Sequence, residues 1–210
     1  MVNQASLVCE WKGPACVPPP QGIRAATKLN VVDHLIVITD DTVYIRAGQE
    51  WKPPRPLAST MPLLVGKPFR GALHLPAKVD AAMPTEHISF SVNPTAYIYE
   101  TDGTNFTYFQ SRTMTDSPAP ISAPQGSKQS RWAITMLDPS KFGTPGYLSE
   151  YEAYEGDGNV YFYDATPAFT NKWPFADCPL FSGTTGPPPE ANIMAGWHDD
   201  STDVTYLIVR

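Results

Sequence analysis

The sequence predicts an all-β protein, a compact antiparallel barrel or sandwich with long proline-rich loops. Its 210 residues include 23 prolines and 14 glycines, which interrupt the chain too often for long helices, because proline removes a backbone donor and clashes with the preceding turn. Short runs of β-branched and aromatic residues lie between these interruptions, and helical periodicity is nearly absent. The length suits a single domain of this class.

Five runs of the chain favour strands, and the segments between them favour loops. The predicted strand runs are 31–48, 87–112, 130–137, 151–165 and 203–210. The predicted loops are 50–62, 115–130 and 181–191, and a weak helical signal lies near 59–66. We therefore expect a proline-rich N-terminal segment, 1–24, packed on a single β domain, 25–210.

Three strand runs contain a turn signal, at residues 40–41, 102–103 and 157–158. Two of these signals are Asp-Gly pairs, which favour tight hairpins because both central residues need positive φ. The recurrence suggests a repeated hairpin, as in a small propeller. The spacing is uneven and no repeat signature recurs, so the sequence does not predict repeats.

The hairpin centred on 157–158 should have two different faces, because side chains alternate along a strand. A two-residue turn there pairs Tyr154 with Tyr161 and Ala153 with Phe162. One face, predicted to point inward, carries Ala153, Val160 and Phe162. The opposite face should be available to another sheet, a second subunit or a ligand, and it carries Glu152, Tyr154, Tyr161 and Tyr163.

A second aromatic ladder follows from the turn at 102–103, where the same reasoning pairs Tyr99 with Phe106 and Tyr97 with Tyr108. Cross-strand aromatic pairs stabilise sheets, so sheet packing is the more common role of such residues. Tyrosine and tryptophan also suit binding surfaces, because they are rigid and amphipathic. The candidate binding residues are Tyr154, Tyr161, Tyr163, Tyr97, Tyr108, Trp51 and Trp173.

The sequence carries no catalytic signature that names a reaction, since it lacks a nucleophile elbow, a phosphate-binding loop and a dinucleotide fingerprint. His198 shares a predicted strand face with Asp200, a pairing more often structural than catalytic. The alternation of Glu155, Asp157 and Asn159 is similar to the start of a calcium loop, but the required downstream glutamate is missing. We expect no enzymatic activity, no metal and no cofactor.

The net charge of −6, from 15 basic and 21 acidic residues, argues against nucleic acid as a partner, because binding phosphates requires a basic surface. No apolar run reaches the length of a membrane span, and the N-terminus lacks a signal-peptide pattern. The three cysteines, Cys9, Cys16 and Cys178, favour free thiols over a disulfide framework. A loop closed between Cys9 and Cys16 remains the alternative.

In overall style the chain resembles the spike domain of astrovirus capsids. The similarity lies in the proline-rich "CVPPPQG", the acidic aromatic stretches "AYIYETDGTNFTYF" and "EYEAYEGDGNVYFYDA", and the "TGPPPEANIMAGW" loop. This resemblance implies a homodimeric domain on the virion surface that attaches the virus to a host-cell receptor, either a glycan or a protein. It also implies that no cofactor is needed.

Two other functions remain open on the sequence alone. The first is a cellular carbohydrate-binding module or lectin with the same β architecture. The second is a β-fold hydrolase that uses His198 with nearby acids, which would require a deep pocket with shifted pKa values.

Overall fold

The computed structural model describes residues 22–29, 32–75, 85–113, 128–137, 148–164, 169–181 and 189–209. Residues 1–21 of the predicted N-terminal segment, with Cys9 and Cys16, lie outside this part of the chain. Most of the predicted loops 115–130 and 181–191 lies outside it too. Cys178 is a buried free thiol.

The described residues are mostly β-strands, which confirms the predicted fold class. The strands are β1 Ala25–Leu29, β2 His34–Ile38, β3 Thr42–Ala47, β4 Glu50–Trp51, β5 Arg55–Pro56, β6 Arg70–Leu75, β7 Glu86–Val92, β8 Thr95–Thr101, β9 Phe106–Thr113, β10 Ser130–Leu137, β11 Leu148–Tyr154, β12 Asn159–Asp164, β13 Phe169–Pro174, β14 Ile193–Asp199 and β15 Val204–Val209.

Helical structure is confined to short turns. The α-helix α1 spans Leu57–Thr60, and a 3-10 turn at Pro62–Leu64 follows it at the predicted weak helical signal. Further 3-10 turns lie at Phe175–Asp177, Pro179–Phe181 and Glu190–Asn192. Within the described ranges, no helix has the length and apolar character required to cross a membrane.

The strands form four antiparallel sheets that follow the chain order. The first sheet runs β1-β2-β3-β4, with β5 also paired to β3; the second runs β6-β7-β8-β9; the third runs β10-β11-β12-β13; and the fourth is the pair β14-β15. Among the described strands these sheets do not close into one barrel. They pack face to face, as in a sandwich.

The first strands of the four sheets pack against one another in a ring. β1 packs on β6 and β14, and β10 packs on the same two strands from the other side. Each sheet then runs outward from this ring by successive hairpins. The arrangement resembles the blades of a small propeller, although the sequence carries no repeat signature.

Gly71 shows how closely the ring strands approach one another. A Cβ at this position would lie 3.0 Å from the backbone nitrogen of Ala133 and 3.3 Å from the carbonyl carbon of Trp132 on β10. Its φ is +69°, a conformation that glycine adopts without a steric penalty. Any side chain here would push β6 away from β10.

Near the ring each sheet is packed on both faces, so there are four contacts between neighbouring sheets. Apolar cores fill three of these contacts. The core between the first and second sheets is the largest and includes Ile36, Val43, Phe69, Phe90 and Tyr99. The other two cores lie between the third and fourth sheets, around Trp132 and Leu207, and between the fourth and first sheets, around Val37 and Trp197.

The hairpin predicted at residues 40–41 is confirmed. Ile38 pairs with Val43, and the Thr39 N–H donates to the Thr42 carbonyl at 2.9 Å across the turn. This turn joins β2 to β3 with the two aspartates, 40 and 41, at its centre.

The turn predicted at 157–158 has a different register from the one expected. Ala153 pairs with Val160 rather than with Phe162, and Glu152 pairs with Tyr161. The turn is centred on Gly156 and Asp157 instead of on Asp157 and Gly158. The chain reverses over the four residues 155–158, of which Gly156 and Gly158 have positive φ. A shift of two residues leaves every side chain on its predicted face.

The register predicted at 102–103 is also wrong, for a similar reason. The Asp102 carboxylate accepts hydrogen bonds from the N–H groups of Thr104 and Asn105 at 2.8 and 2.6 Å, and this aspartate-based turn widens the loop. Tyr99 therefore pairs with Tyr108, and a bulge in β9 follows.

Candidate functional site

Tyr154 and Tyr161 are buried, so the prediction that they form an accessible surface is wrong for this chain. Their exposed fractions are 2% and 3%. Their rings meet edge to face with centroids 5.5 Å apart, and the partly buried Tyr163 packs against this pair. They lie on the face of the third sheet opposite the core that this sheet shares with the fourth sheet.

Polar groups hold these tyrosine hydroxyls inside the domain. The Tyr154 hydroxyl donates to Glu152 Oε2 at 2.7 Å, and the Tyr161 hydroxyl donates to Asp157 Oδ2 at 2.9 Å. Burial, together with the Asp157 carboxylate, raises the pKa of Tyr161. The Tyr161 phenol thus remains protonated, and both hydroxyls act as structural donors.

The opposite face of the same hairpin points inward, as predicted. Ala153 and Val160 are fully buried in the core between the third and fourth sheets. Phe162 is only partly buried at the edge of that core, where its ring lies 4.8 Å from the ring of Tyr151. Both faces of the hairpin are therefore packed.

Tyr97 and Tyr108 are the predicted residues that reach the surface together. Tyr108 is 43% exposed, and its ring meets that of Tyr99 edge to face at 5.9 Å. Tyr97 is half-buried, and both rings flank the buried Tyr99. Burial raises the pKa of Tyr99 to about 12, so this central hydroxyl is protonated at neutral pH.

A proline-flanked loop, absent from the predicted site, completes this surface. Leu63 and Val65 are 41% and 51% exposed, and the Leu63 backbone lies beside the Tyr99 hydroxyl. The Lys67 ammonium lies 5.1 Å above the centre of the Tyr97 ring, within the range of a cation–π contact. We name Tyr97, Tyr108, Leu63, Val65 and Lys67 the tyrosine patch.

One sign of this loop is visible in the sequence, the apolar "PLLVG" run at residues 62–66, which on its own predicts only a weak helical segment. Two consecutive leucines in a loop normally indicate burial. Here Leu64 is buried and its neighbour Leu63 is exposed, because the 3-10 turn sends adjacent side chains in different directions.

Trp51 and Trp173 lie on different sheets, and each covers the edge of a core. Trp51, on β4, packs at the core between the fourth and first sheets, with the Arg46 guanidinium 6.0 Å from its ring. Trp173, on β13, stacks at 6.3 Å with Tyr151. The structure does not bring these tryptophans together with the tyrosine patch.

His198 is buried at the end of β14, with an exposed fraction of 4%. Its Nδ1 lies 3.0 Å from the Thr205 hydroxyl, and its Nε2 lies 3.5 Å from Asp200 Oδ1 and 3.7 Å from Asp203 Oδ1. Burial lowers the pKa of His198. The predicted proximity of His198 to Asp200 is confirmed, and the hydrolase interpretation stays a prediction.

A buried lysine lies beside this histidine and joins the fourth sheet to the first. The Lys28 ammonium lies 2.6 Å from Asp199 Oδ2 and 2.9 Å from Asp33 Oδ1. Although burial opposes the charge, the two carboxylates raise the pKa of Lys28. The lysine charge is thus neutralised by one acid from the turn before β2 and one from the end of β14.

Asp157 is the centre of a small hydrogen-bond network rather than of an open loop. It accepts from Tyr161 and from the side chain of Asn159 at 2.9 Å each, and the Lys128 ammonium lies 3.2 Å away. Across the described ranges, no group of three or more potential ligands is placed to hold a metal ion.

Comparison with known proteins does not assign the chain to a family. No family model matches it, and no curated protein matches it. Similar solved structures include two crystal structures of BBS1N in complex with ARL6DN. The one soaked with lead is 10% identical over 72% of this chain, with a TM-score of 0.40, and the one soaked with mercury is 12% identical over 82%, with a TM-score of 0.35. The chain spans 44% and 56% of those two chains.

Proposed function

We propose that this β domain is a non-enzymatic binding domain that attaches to a receptor through the tyrosine patch. The observation that supports this proposal is the exposure of Tyr108 beside Tyr97, both supported by the buried Tyr99. A rigid aromatic surface with hydroxyl groups offers contact area at a small entropic cost. Lys67 adds a cation at its edge.

The receptor chemistry that fits this patch is a glycan. The faces of sugar rings stack on exposed aromatic rings, while tyrosine hydroxyls bond to sugar hydroxyl groups. The setting implied by the resemblance to capsid spikes is attachment of a virion to a host cell, and a glycan-bearing receptor suits that role. A cellular lectin would use the same patch in the same way.

A glycan array with the purified domain tests the proposal. The variants are Tyr108→Ala and, as a matched control, Phe109→Ala. Phe109 is 49% exposed on the same strand, but it packs against His87 on the opposite face of the sheet at 4.9 Å. We expect Tyr108→Ala to weaken glycan binding at least tenfold while Phe109→Ala leaves it unchanged. Equal binding by both variants would exclude the patch as the site.

The homodimer implied by the same resemblance stays a proposal as well. Sedimentation of the domain at micromolar concentration separates a dimeric spike from a monomeric lectin. If Tyr108→Ala changed the sedimentation coefficient but not glycan binding, the patch would be a subunit contact instead of a receptor site.

A further inference from the structure

Two glutamates lie side by side on β11, on the face of the third sheet that carries the buried tyrosines. Glu152 is 4% exposed. Glu150, two residues earlier on the same face of the strand, is partly buried, and its carboxyl lies within hydrogen-bonding reach of Glu152. A buried carboxylate is costly without compensation, and two adjacent carboxylates also repel each other. This pair therefore requires at least one proton to remain buried.

The neighbouring strands of the third sheet supply hydroxyl groups but no positive charge to the pair. β12 places Tyr161 opposite Glu152 and Tyr163 opposite Glu150, and β10 places Thr135 opposite Glu150. Tyr154 donates its hydroxyl proton to Glu152. These contacts favour a single negative charge on the pair, because the hydroxyls can stabilise one carboxylate.

The nearby cations among the described residues have other partners. Lys128 pairs with Asp157, and the Lys172 ammonium lies over the Tyr161 ring at 5.9 Å. The charge of Arg131 acts on Glu190. Neither glutamate forms an ion pair with any residue in the described part of the chain, so the proton carries the compensation.

The second sheet, which packs on β10 through β6, carries one further pair of ionisable residues. On β7, Ile88 and Phe90 point into the core, so His87 and the serines at 89 and 91 point the other way, toward the third sheet. The His87 ring packs against Phe109. Opposite His87 on β8 lies Glu100, which accepts a hydrogen bond from Thr85.

The remaining charged groups near β10 are engaged elsewhere. On β6, Arg70 donates to the Ile23 carbonyl at 3.1 Å. On β14, His198 and Asp199 are held by Thr205 and Lys28. None of these groups compensates for a second negative charge on the glutamate pair.

We propose that Glu150 and Glu152 act as a proton-dependent latch on the tyrosine-bearing face of the third sheet, which holds β10, β11 and β12 together when the pair keeps a proton and is weakened when both acids ionise. Burial and the adjacent Glu152 carboxyl raise the pKa of Glu150 well above its usual value. Burial also raises the pKa of Glu152.

The direction of the pH dependence follows from proton linkage. The folded domain keeps a proton that the unfolded chain releases above about pH 4.3, the pKa of an exposed glutamate. The free energy of unfolding therefore decreases as the pH rises from that value to the raised pKa, and it is level above it. The contribution of the latch to stability is therefore larger in acid than at neutral pH.

Urea unfolding at about pH 4 and about pH 8 tests the latch. The variants are Glu150→Gln and Glu152→Gln, which keep the side-chain shape, and Glu155→Gln, an exposed control on the adjoining turn. We expect Glu150→Gln to unfold at a higher urea concentration than the wild type at about pH 8 and at the same concentration at about pH 4. The control should follow the wild type at both values.

Two results would overturn the latch. One is an equal midpoint difference between Glu150→Gln and the wild type at both pH values; the other is a lower midpoint for both variants throughout. A titration of the wild type with carbon-labelled glutamate, followed by NMR, gives an independent readout. The proposal requires at least one carboxyl resonance that titrates at a higher pH than those of the exposed glutamates.

Discussion

The Tyr161 hydroxyl donates to Asp157 Oδ2 at 2.9 Å. This hydrogen bond ties the four-residue turn to the tyrosine face of its own hairpin. Tyr161 lies on β12, and Asp157 lies at the centre of the four-residue loop that precedes it. The same carboxylate binds Asn159 and Lys128. The Asp157 side chain thus holds together a four-residue loop where the Asp-Gly pair predicts a tight two-residue turn.

Asp157→Asn should lower the free energy of unfolding at neutral pH by about 1.5–3 kcal/mol, the contribution of a hydrogen bond to a charged group. Burial acts to raise the pKa of Asp157, but the hydrogen bonds from Asn159 and Tyr161 lower it below its usual value. The stabilisation is therefore present above about pH 4 and is lost as the pH falls through the lowered pKa. Urea unfolding from acid to neutral pH measures it. Asp177→Asn, at an exposed carboxylate, is the control, and a loss that did not diminish in acid would contradict the prediction.

Tyr161→Ala should destabilise the domain at least as much as Phe162→Ala. Tyr161 is 3% exposed and loses both packing and a hydrogen bond, so we expect a cost of roughly 3–5 kcal/mol. Phe162 is only partly buried, and its cost should be smaller. Thermal unfolding of both variants checks the order. A larger loss for Phe162→Ala would mean that the tyrosine face is less enclosed than the structure indicates.

Gly71→Ala should be more destabilising than Gly66→Ala, although both glycines have nearly the same φ, +69° and +70°. A Cβ at position 66 meets no atom within 4 Å, whereas a Cβ at position 71 lies 3.0 Å from the Ala133 backbone. The difference in the loss of unfolding free energy between the two variants reports on the contact between β6 and β10. We expect this difference to be roughly 1–3 kcal/mol, the usual cost of overpacking. Chemical denaturation of both variants measures this difference. Equal losses of stability in the two variants would show that the strain of the positive φ alone sets the cost of each substitution.

His198→Gln should remove an acid-sensitive part of the stability. Burial lowers the pKa of His198, so protonation favours the unfolded chain. The stability contributed by the neutral ring is complete above about pH 6.5, the pKa of an exposed histidine, and decreases as the pH falls below it. This slope opposes that of the glutamate latch. As the pH rises from about 5 to about 7, the melting temperature of the wild type should increase relative to that of His198→Gln, because only the wild type gains this contribution. An unchanged slope would exclude His198 as its source.

Alternation along the strands predicted which side chains share a face, and it could do so despite a wrong register. Ala153 and Val160 point into the core as predicted, because a shift of two residues preserves the face of every side chain. The lengths of the two hairpin loops could not be predicted, because they depend on the Asp157 and Asp102 carboxylates, which accept hydrogen bonds within their turns. Turn residues alone do not reveal which polar group they will satisfy.

The exposure of the tyrosines could not be predicted from strand patterns either. Tyr154 and Tyr108 both lie in strands rich in aromatic residues, yet one is 2% exposed and the other 43%. The difference arises from position: β11 is an inner strand of its sheet, whereas β9 is paired on one side with β8 among the described strands. Local sequence does not encode how many sheets will pack around a strand.

The ring of first strands has a consequence for synthesis on the ribosome. β1 and β14 meet although they come from opposite ends of the described chain, so the core around Val37 and Trp197 cannot form until β14 has been made. Contacts so distant in sequence are slow to form, because a long loop must close first. Until then the nascent first sheet keeps an uncovered apolar face, a surface to which chaperones bind and on which partly made chains associate.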